Sequence, residues 1–400
     1  MPFNGSAADL AVLALVVGGR LLLPLLIPWF PLPGIVMCLV LDAVDQSLFQ
    51  GLTRLQLDFY QGYDKALDVY YLSIAYLSTF RNWDNRFAFR VTRALFYLRL
   101  AGVALFEWLD WRVILFLLPN TFEYFFIWYE LVRRRTPRRL SRTTVISAAA
   151  AIWILIKLPQ EYWIHIARLD LTDVLKTALF GASPETPWGH IFRAAPWLYV
   201  AVALLAVGVL LALVRLATRR LPPADDRRGT TDDGQQADGN SRPWAVGRRR
   251  SSTPDRAQLR AARAASAARI VDRDLAEKLG LVALITAIFA QIIPTVRPTT
   301  PQVVFGATAV VLLTTALSHV VARRGVTWTN TLGQFLAVLL ANFALVFFFQ
   351  ALPGARDLRE GEVLFFILLL SVVVTLFDRF QIVQRARWGE ERGQVPGSRG

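Results

Sequence analysis

The feature that most constrains this chain is a series of apolar runs, each close to the length of a membrane span and punctuated by clusters of arginine. A helix needs about 20 apolar residues to cross a hydrocarbon core about 30 Å thick. Runs of that kind cover 87–105, 111–130, 194–217, 279–296, 303–321 and 331–352. Shorter or more polar ones cover 9–30, 35–51, 67–80, 144–158 and 363–377. In lipid every backbone N–H and C=O must be satisfied internally, so these runs are expected to be helices. The chain therefore reads as all-α, a polytopic integral membrane helix bundle of 10–11 transmembrane helices in two groups joined by a disordered linker.

Composition narrows the class further. Apolar residues make up 54% and charged residues 18%, against about 25% charged in soluble proteins. Disorder as the main state is excluded, because disordered chains lack apolar mass. The formal net charge of +14 would suit a nucleic-acid partner in a soluble protein. Here the basic residues bracket apolar runs, so membrane lipids are the expected partner and nucleic acid is not. Lysine occurs only at Lys65, Lys157, Lys176 and Lys278, the other basic residues being arginine; that usage suggests a bacterial genome and a bacterial plasma membrane. The single cysteine, Cys38, excludes an intrachain disulfide and a cysteine zinc cage. His165, His190 and His319 are scattered, so neither a metal nor a cofactor is expected. The first ten residues carry no Lys or Arg, and the first run is read as a retained span rather than a signal peptide.

The positive-inside rule orients the spans. Arg133, Arg134, Arg135, Arg138, Arg139 and Arg142 form one expected cytoplasmic loop, and residues 215–278 form another. Alternation then also places Arg81, Arg86 and Arg90 inside, with Arg323, Arg324 and the tail bearing Arg379, Arg385 and Arg387. The N-terminus is expected outside and the C-terminus inside; a re-entrant 35–51 segment would move only the N-terminus.

Four regions follow. Residues 1–221 form an N-terminal seven-span bundle with a polar interior. Residues 222–254 are a disordered cytoplasmic linker, too poor in apolar side chains to offset the entropy of ordering. Residues 255–380 form a cytoplasmic helix plus a four-span bundle, and 381–400 a cytoplasmic tail. Arg256, Arg260 and Arg263 share one helix face and suit anionic lipid headgroups. Between Pro159 and Pro196, residues 171–180 are expected to form a short helix on the outer surface, ended by Gly181.

Charges at membrane depth mark the candidate site. Each costs about 2.5–3.5 kcal/mol on insertion scales and needs a partner. Arg20 lies in the first span, Asp42 and Asp45 in the second, Arg99 in the fourth, and Asn120 and Glu123 in the fifth. Depth counting puts these six in one layer, as an ionic network linking those four spans. A second cluster is expected nearer the outer surface. It contains Asp64 and Asp68, one helical turn apart, and Lys157, Glu161 and His165 at i, i+4 and i+8. Pro159 is expected to interrupt the helix that carries these last three.

The Asp64-x-x-x-Asp68 spacing is similar to part of the aspartate pattern by which membrane prenyltransferases hold diphosphate through Mg²⁺. Asp42-x-x-Asp45 is spaced differently and no upstream Asn completes the motif, so no family is assigned. Phosphate-loop, nucleophile-elbow and His-Glu-x-x-His motifs are absent. The leading expectation is binding or transport of a polar or amphiphilic solute through the N-terminal bundle. The alternatives are a membrane enzyme acting on a lipid-linked substrate at the outer leaflet, with Asp64, Asp68, Glu161 and His165 as metal ligands or acid–base groups, and a non-catalytic assembly factor that docks a protein partner through the C-terminal bundle.

Overall fold

The computed structural model describes residues 6–53, 60–135, 140–167, 171–186, 188–198, 273–292, 331–350 and 360–393, with scattered positions within 200–215, 258–262 and 306–316. Among the described residues the protein is all-helical, with no strand. The linker expected at 222–254, and with it Arg256, Arg260 and Arg263, lies outside the described residues.

In chain order, α1 is Ala7–Leu22, followed by a 3-10 turn over Leu23–Leu26; α2 is Pro31–Leu52, α3 Tyr60–Asn82 and α4 Arg86–Leu109. Then come α5 (Val113–Leu117), α6 (Thr121–Arg135) and α7 (Arg142–Ile166). The remainder are α8 (Leu171–Phe180), α9 (Trp188–Ala194), α10 (Arg273–Ile292), α11 (Thr331–Gln350) and α12 (Glu360–Gly393). Among the described residues four segments are long and apolar enough to cross a membrane: Ala7–Leu26, Arg142–Ile166, Arg273–Ile292 and Leu364–Trp388.

Local chemistry sets the ends. Ser6 and Asp9 form a reciprocal capping box at the start of α1. Proline at the first turn of α2 fits a place where no N–H is needed. Asn85 accepts from Phe87 and Ala88 N–H at the start of α4, and Ser141 caps α7. Asp110, at φ 50°, closes α4 in the left-handed conformation, and Gly181, at φ 60°, closes α8 where the sequence placed its stop.

Among the described residues two of the expected runs differ from expectation, while those over 194–217 and 303–321 lie largely outside the described residues. The single run expected over 111–130 is broken: α5 ends at Leu118, whose backbone is non-helical ahead of Pro119, and α6 begins at Thr121. Apolar content was sufficient for one span, but proline blocks the helical conformation of the residue before it. Conversely, Pro159 does not interrupt α7. The helix widens into π turns over Ile152–Lys157 and Tyr162–Ile166, and Leu158 N–H reaches the Trp153 carbonyl five residues back. These wider turns accommodate a residue that lacks an N–H.

The helix α3 is the axis of the fold. From Ala66 to Phe80 nearly every side chain is buried except that of Asp68. Its hydroxyls turn inward on their own helix, as in Ser73 Oγ donating to the Val69 carbonyl at 2.6 Å, which satisfies them without water. Around α3 pack α2, α4, α10 and α12, and α4 in turn packs on α6 and α7. The two sequence segments flanking the linker therefore share one core: Ile74, Leu77 and Phe80 of α3 belong with Ile285 and Ile288 of α10 and Val373 and Phe377 of α12. Aromatic contacts reinforce it, with Tyr76 stacked on Phe96 at 4.3 Å and Phe80 edge-on to Phe377 at 5.7 Å. Apolar side chains also face outward: Leu15 of α1 is 76% and Leu155 of α7 72% exposed.

Polar contacts join the segments at the arginine-rich end. Arg387 of α12 donates to the carbonyls of Arg81 and Trp83 and pairs with Asp84 at 3.2 Å. Arg86 donates to the Trp388 carbonyl at 2.6 Å. Deeper in, Lys278 pairs with Asp378 at 2.8 Å, and Glu277 accepts from Tyr76 and Arg93.

Candidate functional site

Arg20 is the centre of the site. It sits in the last turn of α1 with its side chain 3% exposed. Its guanidinium donates to Asp42 and Asp45 of α2 and to Asp64 and Asp68 of α3. The helical spacing explains the convergence. Asp42 and Asp45 are three residues apart, Asp64 and Asp68 four apart, so each pair presents to one side of its helix. Gly19 lets α1 approach α2: a Cβ there would lie 3.0 Å from Leu41 Cδ2. The inner wall is dry, with Asp45 5% exposed. The outer rim is open, with Asp42, Asp64 and Asp68 exposed to 29%, 41% and 38%.

One guanidinium compensates one carboxylate, so the formal charge of these five side chains is strongly negative. Carboxylate oxygens of Asp42, Asp64 and Asp68 all lie within 4.8 Å of one another, close enough to hold one metal ion jointly. The lone cysteine and scattered histidines led to no metal being expected in the leading reading, and Asp64 and Asp68 entered only the enzyme alternative as metal ligands, set apart from Asp42 by depth counting. Those two aspartates join Arg20 instead.

A second polar group lies beside it, one turn further along the same face of α3. Glu123 of α6 accepts from Tyr71 at 2.9 Å and from Asn120 Nδ2 at 2.7 Å. The Pro119 break fixes Asn120 at the start of α6, where its side chain also accepts from Glu123 N–H. Gly102 of α4 allows the close approach: a Cβ there would meet Leu118 Cβ at 2.8 Å and its carbonyl at 3.1 Å.

A third group runs along α7. Lys157 pairs with Glu161 at 3.3 Å, and His165 with the other oxygen of Glu161 at 3.0 Å, so the i, i+4, i+8 face is formed as the spacing requires. Lys157 also lies 4.6 Å from the Tyr124 ring centre. Arg99 of α4 lies close enough to Glu123, Lys157 and Glu161 to interact electrostatically with all three. The single layer expected from depth thus divides: Arg20 takes α1–α3, while Arg99 faces α6 and α7. Depth along a helix follows from residue counting, but the direction of a side chain around the axis does not.

Further polar residues are buried outside these groups. Glu130, fully buried, accepts from Trp83 Nε1 at 2.7 Å and pairs with Arg133. Glu277 and Lys278 fell just before a run drawn from residue 279. Charges abutting an apolar run were the available signal.

No protein-family model matches this chain, and neither a curated protein nor a solved structure is significantly similar to it.

Proposed function

We propose that this chain is a multi-pass protein of a bacterial plasma membrane, with its C-terminus cytoplasmic, and that the α1–α3 carboxylates hold a divalent cation which engages the phosphate of a lipid-linked substrate. The observation that carries this reading is the convergence of Asp42, Asp64 and Asp68 within 4.8 Å. Hard cations take oxygen ligands, and Mg²⁺ in particular is bound through one or two carboxylates plus substrate phosphates. Such a cation would polarise a phosphoryl oxygen. Arg20 would hold the four carboxylates in register, with buried Asp45 as its anchor. A lipid-linked substrate is supported by the position of Arg20 within a 20-residue apolar segment and by the partial exposure of Asp64 and Asp68 on α3.

Mn²⁺ titration of the purified protein in lipid nanodiscs, followed by electron paramagnetic resonance, tests the site. Saturable binding of one ion is expected, lost in the Asp64→Asn/Asp68→Asn double variant. Identical titrations of the two proteins would sink the reading.

A second reading, binding or transport of a polar or amphiphilic solute, is favoured by the further buried polar groups at Glu123 and Lys157–Glu161 in the same bundle. Proteoliposomes with an entrapped metal dye separate the two: Mn²⁺ influx supports transport, whereas binding without influx supports the enzyme. Membrane lipids are the natural partner of the apolar surface. Leu332, Leu336 and Leu340 of α11 form one exposed face that would serve lipid or a protein partner.

A further inference from the structure

Arg99 of α4 is a cation set between two interior polar groups. Its Nε and Nη1 atoms are buried and have no hydrogen-bond partner among the described residues. Leaving a buried donor unsatisfied is costly, and more so for a charged one. Folded proteins satisfy such donors with ordered water where other polar groups are at hand to share it. Arg99 has those neighbours: it interacts electrostatically with Glu123 of α6 and with Lys157 and Glu161 of α7. The oxygens of Glu123 take one protein hydrogen bond each, from Tyr71 and from Asn120, and a carboxylate has room for about four.

On the α7 side the polar groups form a row. His165 Nε2 lies 3.0 Å from one oxygen of Glu161, and Lys157 Nζ lies 3.3 Å from the other. Positions i, i+4 and i+8 run about 12 Å along a helix axis. The outer end of the row is open. The His165 side chain is 20% exposed, and it lines a cavity of about 470 Å³ with Asp110 and Arg112. The inner end is dry, with the side chains of Lys157 and Glu161 4% and 7% exposed. Beyond Arg99, buried Glu123 accepts from Tyr71 of α3 at 2.9 Å. Ionisable side chains of α7, α4, α6 and α3 thus succeed one another from an open cavity to the axis of the fold. Ionisable residues inside a membrane protein are expensive to bury, and chains of them mark proton relays.

We infer that these residues form a proton path from the cavity to Glu123, with ordered water held by Arg99 bridging Lys157 and Glu123. A proton arriving at His165 passes to Glu161. Lys157 gives a proton through the water to Glu123 and recovers one from Glu161. The net change is one N–H bond at His165 exchanged for one O–H bond at Glu123, with no transfer of electrons. The charges facing Glu123 are of both signs: Arg99 and Lys157 against Asp42 of α2. Tyr71 of α3, Tyr124 of α6 and Cys38 of α2 are its other titratable neighbours. The path ends at Glu123 and Tyr71, one turn short of Asp68, and does not depend on a cation at the aspartate cluster.

The test uses the full chain in lipid nanodiscs, with a pH jump from a caged proton followed by time-resolved infrared spectroscopy. The carbonyl band of a newly formed carboxylic acid is expected, and it is expected to be absent in Glu123→Gln. Its rise is expected to slow at least about tenfold in His165→Phe and in Arg99→Met. Should Glu123→Gln fail to fold, Glu123→Asp assigns the band by shifting it, and His165→Phe reads the path from its partly exposed end. Absence of the band in the wild type, a band unchanged by substitution of Glu123, or an unchanged rate in either His165→Phe or Arg99→Met overturns the inference. The Asp64→Asn/Asp68→Asn variant is expected to lose Mn²⁺ and keep the band, so the two readings fail independently.

Discussion

Tyr71 of α3 donates a hydrogen bond to Glu123 of α6 at 2.9 Å, three residues after Asp68 has turned toward Arg20. One helix face thus serves two neighbouring polar groups, and Tyr71 is its contact with the second. Hydrogen bonds between helices in membranes contribute about 0.6 kcal/mol on average and up to about 1.7. The buried carboxylate acceptor places this bond toward the upper end. Tyr71→Phe is expected to destabilise the protein by about 1–2 kcal/mol, read as a lower melting temperature in detergent. An unchanged melting temperature would show that Glu123 is held by Asn120 alone.

Arg20 is the countercharge on which four carboxylates depend. Arg20→Met is expected to cost about 3–5 kcal/mol or more, the usual result of removing one partner from a buried ionic group. The readout is the yield of monodisperse protein and its melting temperature at neutral pH. Arg20→Lys should fall between, because an ammonium lacks the planar fork that reaches several carboxylates. Adding Asp45→Asn to Arg20→Met should recover part of the loss, since Asp45 is the least exposed of the four. Failure to recover any would mean that repulsion among the carboxylates is not what unfolds the single variant.

Lys278 and Asp378 join α10 to α12 across a hundred positions of sequence. A double-mutant cycle with Lys278→Met and Asp378→Asn is expected to return a coupling of about 1–3 kcal/mol, as for charged side chains in direct contact. Thermal melting of the four proteins in nanodiscs gives the value. Additive losses would place the two side chains in separate environments and detach the C-terminal helices from the core described above.

Much of the architecture was legible because lipid and proline chemistry act locally. The apolar runs over 67–80 and 331–352 reappear within α3 and α11. Where two local rules compete, the outcome is less legible. Pro119 breaks its helix while Pro159 is absorbed, the difference being whether the turn can widen into π geometry.

The candidate site divides along the same line. Arg20, Asp42 and Asp45 were recognisable as costly charges in apolar surroundings, Asp64 and Asp68 only as members of an outer polar cluster, and the i, i+4 spacing on α7 was enough to pair Lys157, Glu161 and His165. Their grouping was not recognisable. Residue counting measures depth along a helix, whereas partnership depends on rotation about its axis and on which helices are neighbours. Sequence alone therefore determined that this chain is helical, apolar on its surface and burdened with buried charge. Tertiary packing around α3 decided that four aspartates meet one arginine while Arg99 faces another way, because only the packed helices specify where each side chain points.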